Sequence, residues 1–515
     1  MKSIDLHGTP KVLTGAVVLD GIIAVCAMVL TMGAMARLIP IIRDQLVAPF
    51  DLISEGPHLQ LMIAVRDGFN IYAPESHLDS PFRLVPYLPF YHAVIAMLPA
   101  DPANPFFTGR VVAMLFLFAA ASSVFAVAPR RDWLGVPLAA FASFFLVRPI
   151  VGNTAYFRSD HAGVFFSVMA ILTIARAPTR RGIILAAFFS AIALACKQAF
   201  VAASVTCFLL LIMRDRRACA LFVLVFASVV GTLAALATLR WGRGFWYCIL
   251  LPLTHYPRDV EAFFQHWNDM WKQPVFTFIA ATTGGASLVA FLLRGTTVFT
   301  ATPYFMYFVI SLAVQTRVLS GVGAANHYFV EPILAVLLWL VWLSTQLPRS
   351  VSSRWILAGI VIMLSVCGMS ELRDRNTKEC RYTTAANTAA HGRNRELVIE
   401  AMNRLGIHGE LLNLKDSPVT CDYAREGRIN VDDPYLFMAL WDTGGLSTEP
   451  LLHRIRERYF DAVIVQSMLT SDAGQDPNEP VQNIIHVLFQ YYQVAIHGND
   501  VNILTPRTPS RNFAQ

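Results

Sequence analysis

The chain alternates long apolar runs with short polar breaks. A helix that crosses a membrane needs about 20 apolar residues, and the first run of that scale lies near 15–41. Others follow near 108–127, 133–150, 161–175, 182–197 and 199–213. The last lie near 218–239, 275–293, 296–314, 327–346 and 355–370. This pattern predicts an α-helical polytopic membrane protein of about eleven transmembrane helices. The segment 89–100 (PFYHAVIAMLPA) is apolar but too short to span, so it reads as an interfacial or re-entrant helix. Beyond about residue 371 the period changes. Strand-like runs at 462–466 and 501–504 alternate with amphipathic stretches at 396–405 and 449–458. The expected division is a membrane domain, 1–370, followed by an α/β domain, 371–515.

Basic residues orient the spans. Lys2 and Lys11 precede the first; Arg130 and Arg131 follow the second; Arg176, Arg180 and Arg181 follow the fourth. Arg214, Arg216 and Arg217 follow the sixth, Arg294 the eighth, and Arg349 and Arg354 the tenth. With alternating spans all of these share one side, which the positive-inside rule makes the cytoplasm. Counting 89–100 as a span would break that pattern. The N-terminus is then inside, and an odd number of spans puts the C-terminal domain outside.

Composition agrees with a membrane protein. Of 515 residues 55% are hydrophobic and 15% charged, against roughly 25% charged in soluble domains, and the mean hydropathy is +0.50. The net charge of +6 comes from brief basic clusters between apolar runs, which points to topology and to the lipid bilayer, not to nucleic acid. No GxxxxGK[ST] loop or GxGxxG fingerprint follows a strand. Eight cysteines are scattered without a CxxC spacing. Cys380 and Cys421 fall in the C-terminal domain, where an oxidising compartment would allow them to pair.

This topology gathers the unusual polar residues on one side. Asp51 and Glu55, one helical turn apart, lie in the first outer loop, 43–107. Arg158 and Asp160 (YFRSDH) lie at the next outer turn, and Lys197 and Gln198 (ACKQAF) at the one after. A long outer loop, 240–274, carries Arg240, Arg243, Trp246, Tyr247, His255, Trp267 and Trp271. Asn326, His327 and Glu331 (ANHYFVEP) open the tenth span from outside. Singly, each has an ordinary explanation: a local ion pair, a snorkelling lysine, an aromatic belt. Ionisable residues cost about 2.5–3.5 kcal/mol each at membrane depth, so five clusters on one face argue for an outward-facing cavity that takes a polar substrate.

Such a cavity suits transfer from a lipid-phosphate donor. A carboxylate takes the proton of an acceptor hydroxyl as it attacks an anomeric carbon, and cations neutralise the departing phosphate. Asp51 or Glu55 is the candidate base, with Asp160 next. Lys197, Arg158 and Arg243 are candidates for the phosphate. Gln198, Asn326, His327 and Glu331 are candidates for the rest of the substrate.

The motif order resembles the polytopic lipid-linked-sugar glycosyltransferases of the C-type fold. The bacterial relatives of protein O-mannosyltransferases and aminoarabinose transferases are the most similar. An acidic outer loop (DLISEGPHL) is followed by DGFNIY, LPFYHAVIAML, TGRVVAML, RSDHAGVFF, CKQAF and NHYFVEP, in that order within about residues 15–345. The resemblance implies a polyprenyl-phosphate sugar donor and a lipid, glycan or protein acceptor. It also implies a bacterial inner-membrane location with the C-terminal domain periplasmic, and an acid of the first outer loop as base. Asp51 and Glu55 stand in place of the adjacent Asp-Glu pair of the relatives. Some relatives bind a divalent metal near this loop; Glu55 and His58 are the residues at hand, with His58 alone read as structural. Two other classes fit a polytopic chain. A transporter or flippase calls for polar residues across the midplane and an inverted repeat. A non-catalytic subunit of envelope polysaccharide assembly would use the C-terminal domain for docking.

Overall fold

The computed structural model describes residues 42–49, 55–73, 78–80, 82–101, 103–127, 156–176, 179–255, 260–271, 302–320, 326–346, 385–414, 429–431, 434–466, 480–497 and 501–507, with isolated positions between 25 and 40, at 258, and between 283 and 295. Asp51, Cys380, Cys421 and the expected spans at 133–150 and 355–370 lie outside these residues.

Where the chain is described, helices occupy the apolar runs. α1 (Gly56–Arg66) and α2 (Phe90–Ala96) lie within segment 43–107, the expected first outer loop. α3 (Phe107–Ser122), α4 (Asp160–Arg176), α5 (Arg180–Cys196), α6 (Ala202–Arg214) and α7 (Arg216–Trp241) follow. α10 (Pro303–Leu319) and α11 (Val330–Gln346) complete the described bundle. Its shared core includes Leu117, Val168, Ile171, Ala186, Ala187, Ala203, Tyr307, Leu334 and Trp339. The alanines let α4, α5 and α6 approach closely, as small residues do where apolar helices pack in lipid. Asp215 ends α6 and caps α7, accepting a bond from Arg217 N–H at 2.8 Å. α7 has 26 residues, about 39 Å of helix, and only 11% of its most apolar window is buried. An apolar helix of that length with so little protein over it needs lipid around it.

The outer loop at 240–274 differs from expectation. It is two helices, α8 (Arg243–His255) and α9 (Val260–Trp271). Gly242, at φ +67°, makes the break after α7. The aromatics that mark an interfacial loop also supply an amphipathic helix face: Phe263 and Trp267 of α9 pack against the bundle core.

The C-terminal region carries α12 (Ala385–Arg404) and a five-stranded sheet. The strands are β1 (Leu411–Asn413), β2 (Ile429–Asn430), β3 (Ala462–Gln466), β4 (Tyr492–His497) and β5 (Val501–Pro506), in the order β2-β1-β3-β5-β4. β2, β1 and β3 run parallel, while β5 is antiparallel to β3 and to β4. The alternation of strand side chains sorts two faces. Leu411, Ile464 and Ile503 meet α12 through Val398 and Met402. Leu412, Val463, Val465 and Leu504 meet α13 (Pro434–Asp442), α14 (Glu449–Arg456) and α15 (Pro480–Tyr491).

The second face decides how this region joins the rest. Its apolar cluster runs on without a break into Leu61 and Ala64 of α1, Tyr72, Phe82 and Leu84, and Phe245 and Ile249 of α8. Arg454 adds an ion pair to Asp79 at 2.7 Å, and the Ser80 hydroxyl donates to Asn430 at 2.6 Å. The opposite face of α1, with Leu59 and Met62, packs on Tyr91, Ile95, Phe106, Phe157, Ile192 and Cys196. α1 is thus wedged between the C-terminal sheet region and the N-terminal ends of α3 and α4 with the C-terminal end of α5.

Candidate active site

The loop between the first apolar run and α3 is anchored by a buried ion pair. Arg110 stands in the first turn of α3, and its side chain is fully buried with that of Glu55. Nε donates to Glu55 Oε1 at 2.9 Å, and Nη2 bonds Oε2. Arg110 Nη1 bonds the carbonyls of Gln45 and Ala48, and Phe157 N–H donates to Glu55 Oε1 at 2.7 Å. The Arg110–Glu55 pair therefore joins the segment after the first apolar run, the start of α1 and the segment that enters α4. The fork geometry of arginine suits this two-oxygen contact. Gly109 makes room for it, since a Cβ there would overlap the Phe157 ring.

Both oxygens of Glu55 are engaged in this anchor, which leaves it poorly placed to collect a proton from a substrate. Asp51, the other candidate base, is four residues earlier. Among the described residues no three His, Cys, Asp or Glu side chains converge as a metal site.

Beside the anchor, turns separate in sequence converge. Lys197, at the C-terminal end of α5, pairs with Asp160 at the start of α4 at 2.8 Å, the two side chains 12% and 7% exposed. The same ammonium lies 4.5 Å from the centre of the Tyr328 ring, an added attraction for a cation. Tyr328 belongs to the 3₁₀ turn Asn326–Phe329 that leads into α11. Gln198 donates to the carbonyl of Pro86 at 3.0 Å and so fixes the lysine turn to the first loop. Arg158 is partly buried beside Tyr156, 6.0 Å from the ring centre. Residues 37 apart at the ion pair thus come together in one polar cluster, Arg158, Asp160, Lys197 and Gln198, with Tyr328 beside it.

A pair of histidines lies against this cluster. His58 Nδ1 and His92 Nε2 are 2.9 Å apart, and the rings stack at 5.2 Å with an 8° tilt. Tyr87 sits 4.7 Å from His58, held in part by the bond from Tyr72 Oη to its carbonyl. Burial, the neighbouring imidazole and the charges of Arg158 and Lys197 hold His58 well below the usual histidine range, against the pull of Asp160. Burial pulls His92 down to about 3. Both are neutral near pH 7.

Other candidates fall elsewhere. Glu331 is fully buried in the bundle, accepting from Tyr307 Oη at 2.9 Å and Gln315 Nε2 at 2.8 Å. It is a polar tie between α10 and α11. Arg243 is exposed at the start of α8. Asn326 and His327 lie in the turn that carries Tyr328, their side chains outside the described residues. Sequence reasoning missed His92, hidden in the short apolar segment, and Tyr328, one aromatic among many. Arg110 entered only through the motif TGRVVAML. Its signal was an arginine at the start of an apolar run, a placement that calls for a buried partner.

No family model and no curated protein matches the sequence. Solved structures do. ArnT from Cupriavidus metallidurans, bound to undecaprenyl phosphate, superposes with TM-score 0.54 at 13% identity, over 96% of this chain and 99% of that one. The oligosaccharyltransferase of Archaeoglobus fulgidus in the apo form gives 0.50 at 11% identity, over 90% and 73%. AglB from the same organism, in complex with an inhibitory peptide and a dolichol-phosphate, gives 0.50 at 10% identity, over 92% and 76%. The chain therefore has the C-type glycosyltransferase fold that its motif order resembles.

Proposed function

We propose that this protein is an integral-membrane glycosyltransferase. It moves a sugar from a polyprenyl-phosphate donor to a lipid, glycan or protein acceptor on the periplasmic side of a bacterial inner membrane. The observation that carries the reading is the half-buried cluster of Lys197, Asp160 and Arg158 at the outer ends of α4 and α5, in a chain with this fold. Lys197 and Arg158 supply the cationic groups that complement a phosphate. The neighbours bound to undecaprenyl phosphate and to a dolichol-phosphate make a lipid phosphate the natural occupant.

In this reading Asp51 takes the proton of the acceptor hydroxyl as its oxygen attacks the anomeric carbon. The bond to phosphate breaks on the far side, and Lys197 and Arg158 stabilise the charge left on the lipid phosphate. Asp160 keeps the lysine charged and aimed. Glu55 and Arg110 hold the loop that carries Asp51. Gln198, Asn326 and His327 border the substrate, Arg243 lies at its periphery, and Glu331 supports the turn of Tyr328 from within the bundle. The N-terminus is cytoplasmic and the C-terminal region, from about 371, periplasmic.

The test is transfer by the purified protein from a radiolabelled polyprenyl-phosphate sugar to envelope lipid, glycan and protein fractions. Label that stays on the donor with every fraction would sink the reading and turn attention to the flippase. Against a flippase stands the gathering of Asp160, Lys197, Arg158 and Gln198 at one end of the bundle, where a transport path calls for polar groups through the midplane.

A further inference from the structure

α8 is apolar on two faces. Phe245, Cys248, Ile249 and Leu251 are buried in the apolar cluster shared with the C-terminal region. At the end of α8 that packing is close: a Cβ on Gly445 would stand 2.7 Å from the Cβ of His255. The other face carries Trp246, Tyr247, Leu250 and Leu253, spaced to lie on one side of the helix. These four side chains are 39% to 55% exposed. A helix that is apolar all round belongs in a core or in lipid, and an exposed apolar patch of this kind marks a surface that something covers.

What covers it follows from α7, the bare apolar helix that needs lipid around it. α7 is longer than the hydrocarbon layer, about 30 Å thick, so Arg240 in its last turn stands at headgroup level. Trp246 Nε1 donates to Thr238 Oγ1 of α7 at 3.0 Å. Along a continuous helix these residues would be about 12 Å apart. The break at Gly242 therefore folds the start of α8 beside the end of α7. Leu236 and Leu239 of α7 are exposed there too, so the lipid-facing surface of α7 runs on into the outward face of α8. The bond to Thr238 also satisfies the indole N–H, which lets the ring lie in an apolar layer, and Trp and Tyr favour this depth. With 13 residues, α8 is too short to cross the bilayer. We propose that α8 is an interfacial helix. Its Trp246, Tyr247, Leu250 and Leu253 face lies among phospholipids of the leaflet at the C-terminal end of α7, and its opposite face carries the C-terminal region, which is thereby seated on the membrane surface. The inference rests on the membrane-embedded part of the reading given above and not on the transfer reaction.

The experiment places the photo-reactive residue p-benzoylphenylalanine, by stop-codon suppression, at Leu224, Leu250, Leu253 or Glu400 of the full-length protein. All four positions are exposed, so the fold need not make room for the new side chain. The proteins are reconstituted in proteoliposomes of phosphatidylethanolamine and phosphatidylglycerol with a radiolabelled tracer of each. Leu224, in the lipid-facing part of α7, is the lipid reference, and Glu400, on α12, the water reference. On illumination, label captured at Leu250 and Leu253 should match that at Leu224 and exceed that at Glu400 by about tenfold or more, the preference one large apolar side chain gains by leaving water. Depth is read from Trp246, as the emission of wild type less that of Trp246→Phe. Phospholipid brominated near the headgroup should quench it more than phospholipid brominated near the chain end, since an interfacial helix sits about 5–10 Å into the boundary. Label at Leu250 and Leu253 no higher than at Glu400, with Leu224 labelled, overturns the proposal and leaves the membrane-embedded reading standing. So does a cross-linked dimer at these two positions in place of lipid, which would assign the face to a second copy of the chain, and so does stronger quenching from the chain end. No label at Leu224 removes the membrane-embedded reading and the proposal together.

Discussion

Breaking the Glu55–Arg110 anchor is the most demanding test of how the site is held. Methionine at 110 keeps much of the arginine's bulk and removes its charge. It leaves a fully buried carboxylate without its guanidinium, and strips the carbonyls of Gln45 and Ala48 of their shared donor. Removing one partner of a buried pair typically costs about 3–5 kcal/mol, and the two carbonyls argue for the upper part of that range. Glu55→Leu leaves the guanidinium buried but still bonded to those carbonyls, so its cost should sit at the lower end. In the double variant no uncompensated charge remains, and replacing a buried ion pair by apolar side chains is often neutral or better. The singles should therefore sum to at least about 2 kcal/mol more than the double. Denaturant unfolding of the four proteins in mixed micelles, followed by tryptophan fluorescence, reads this cycle. Costs that add to within about 0.5 kcal/mol would show that the two residues act independently, and the anchor would have to be abandoned.

Asp51→Asn should lower turnover in the transfer assay by at least about a hundredfold, the usual scale of general-base catalysis, with the melting temperature unchanged; near-normal turnover would move the base to Asp160. In the C-terminal region the apolar cluster, not the ion pair, should hold the join. Arg454→Met, which breaks a pair whose Asp79 side chain is 61% exposed, should cost less than about 1 kcal/mol. Phe437→Ala, fully buried in the shared cluster, should cost about 3–5 kcal/mol and expose the region to limited proteolysis. Acid should act through the histidines. Burial holds His92 at about 3 in the folded protein, against about 6.5 when unfolded, so between these values the unfolded chain binds more protons. Stability present above pH 6.5 is then lost as pH falls towards 3, and His92→Gln should flatten that part of the melting-temperature profile; an unchanged profile would mean that His92 is accessible to protons in the folded state.

The periodic apolar runs gave the helices wherever a run was long enough to have one solution. α4, α5, α6 and α7 follow the expected spans, and β3 matches the run AVIVQ, because a continuous apolar stretch fixes local structure and burial together. The meeting of Asp160 with Lys197 was legible in part for a similar reason: at membrane depth an ionisable residue must find a partner or a cavity. The partners themselves were beyond sequence. Asp51 and Glu55 look alike in the chain, one turn apart in one loop, yet Arg110, 55 residues further on, claims both oxygens of Glu55. Glu331 reads as a substrate ligand beside Asn326 and His327, and only the packing of α10 against α11 turns it inward to Tyr307 and Gln315. His58 and His92 stand 34 residues apart in the chain, on α1 and α2. Their contact is a consequence of how α1 and α2 fold back on each other. Residue type and periodicity act over a turn or two of chain, whereas a hydrogen bond depends on distances of a few tenths of an ångström, which only the packed structure decides.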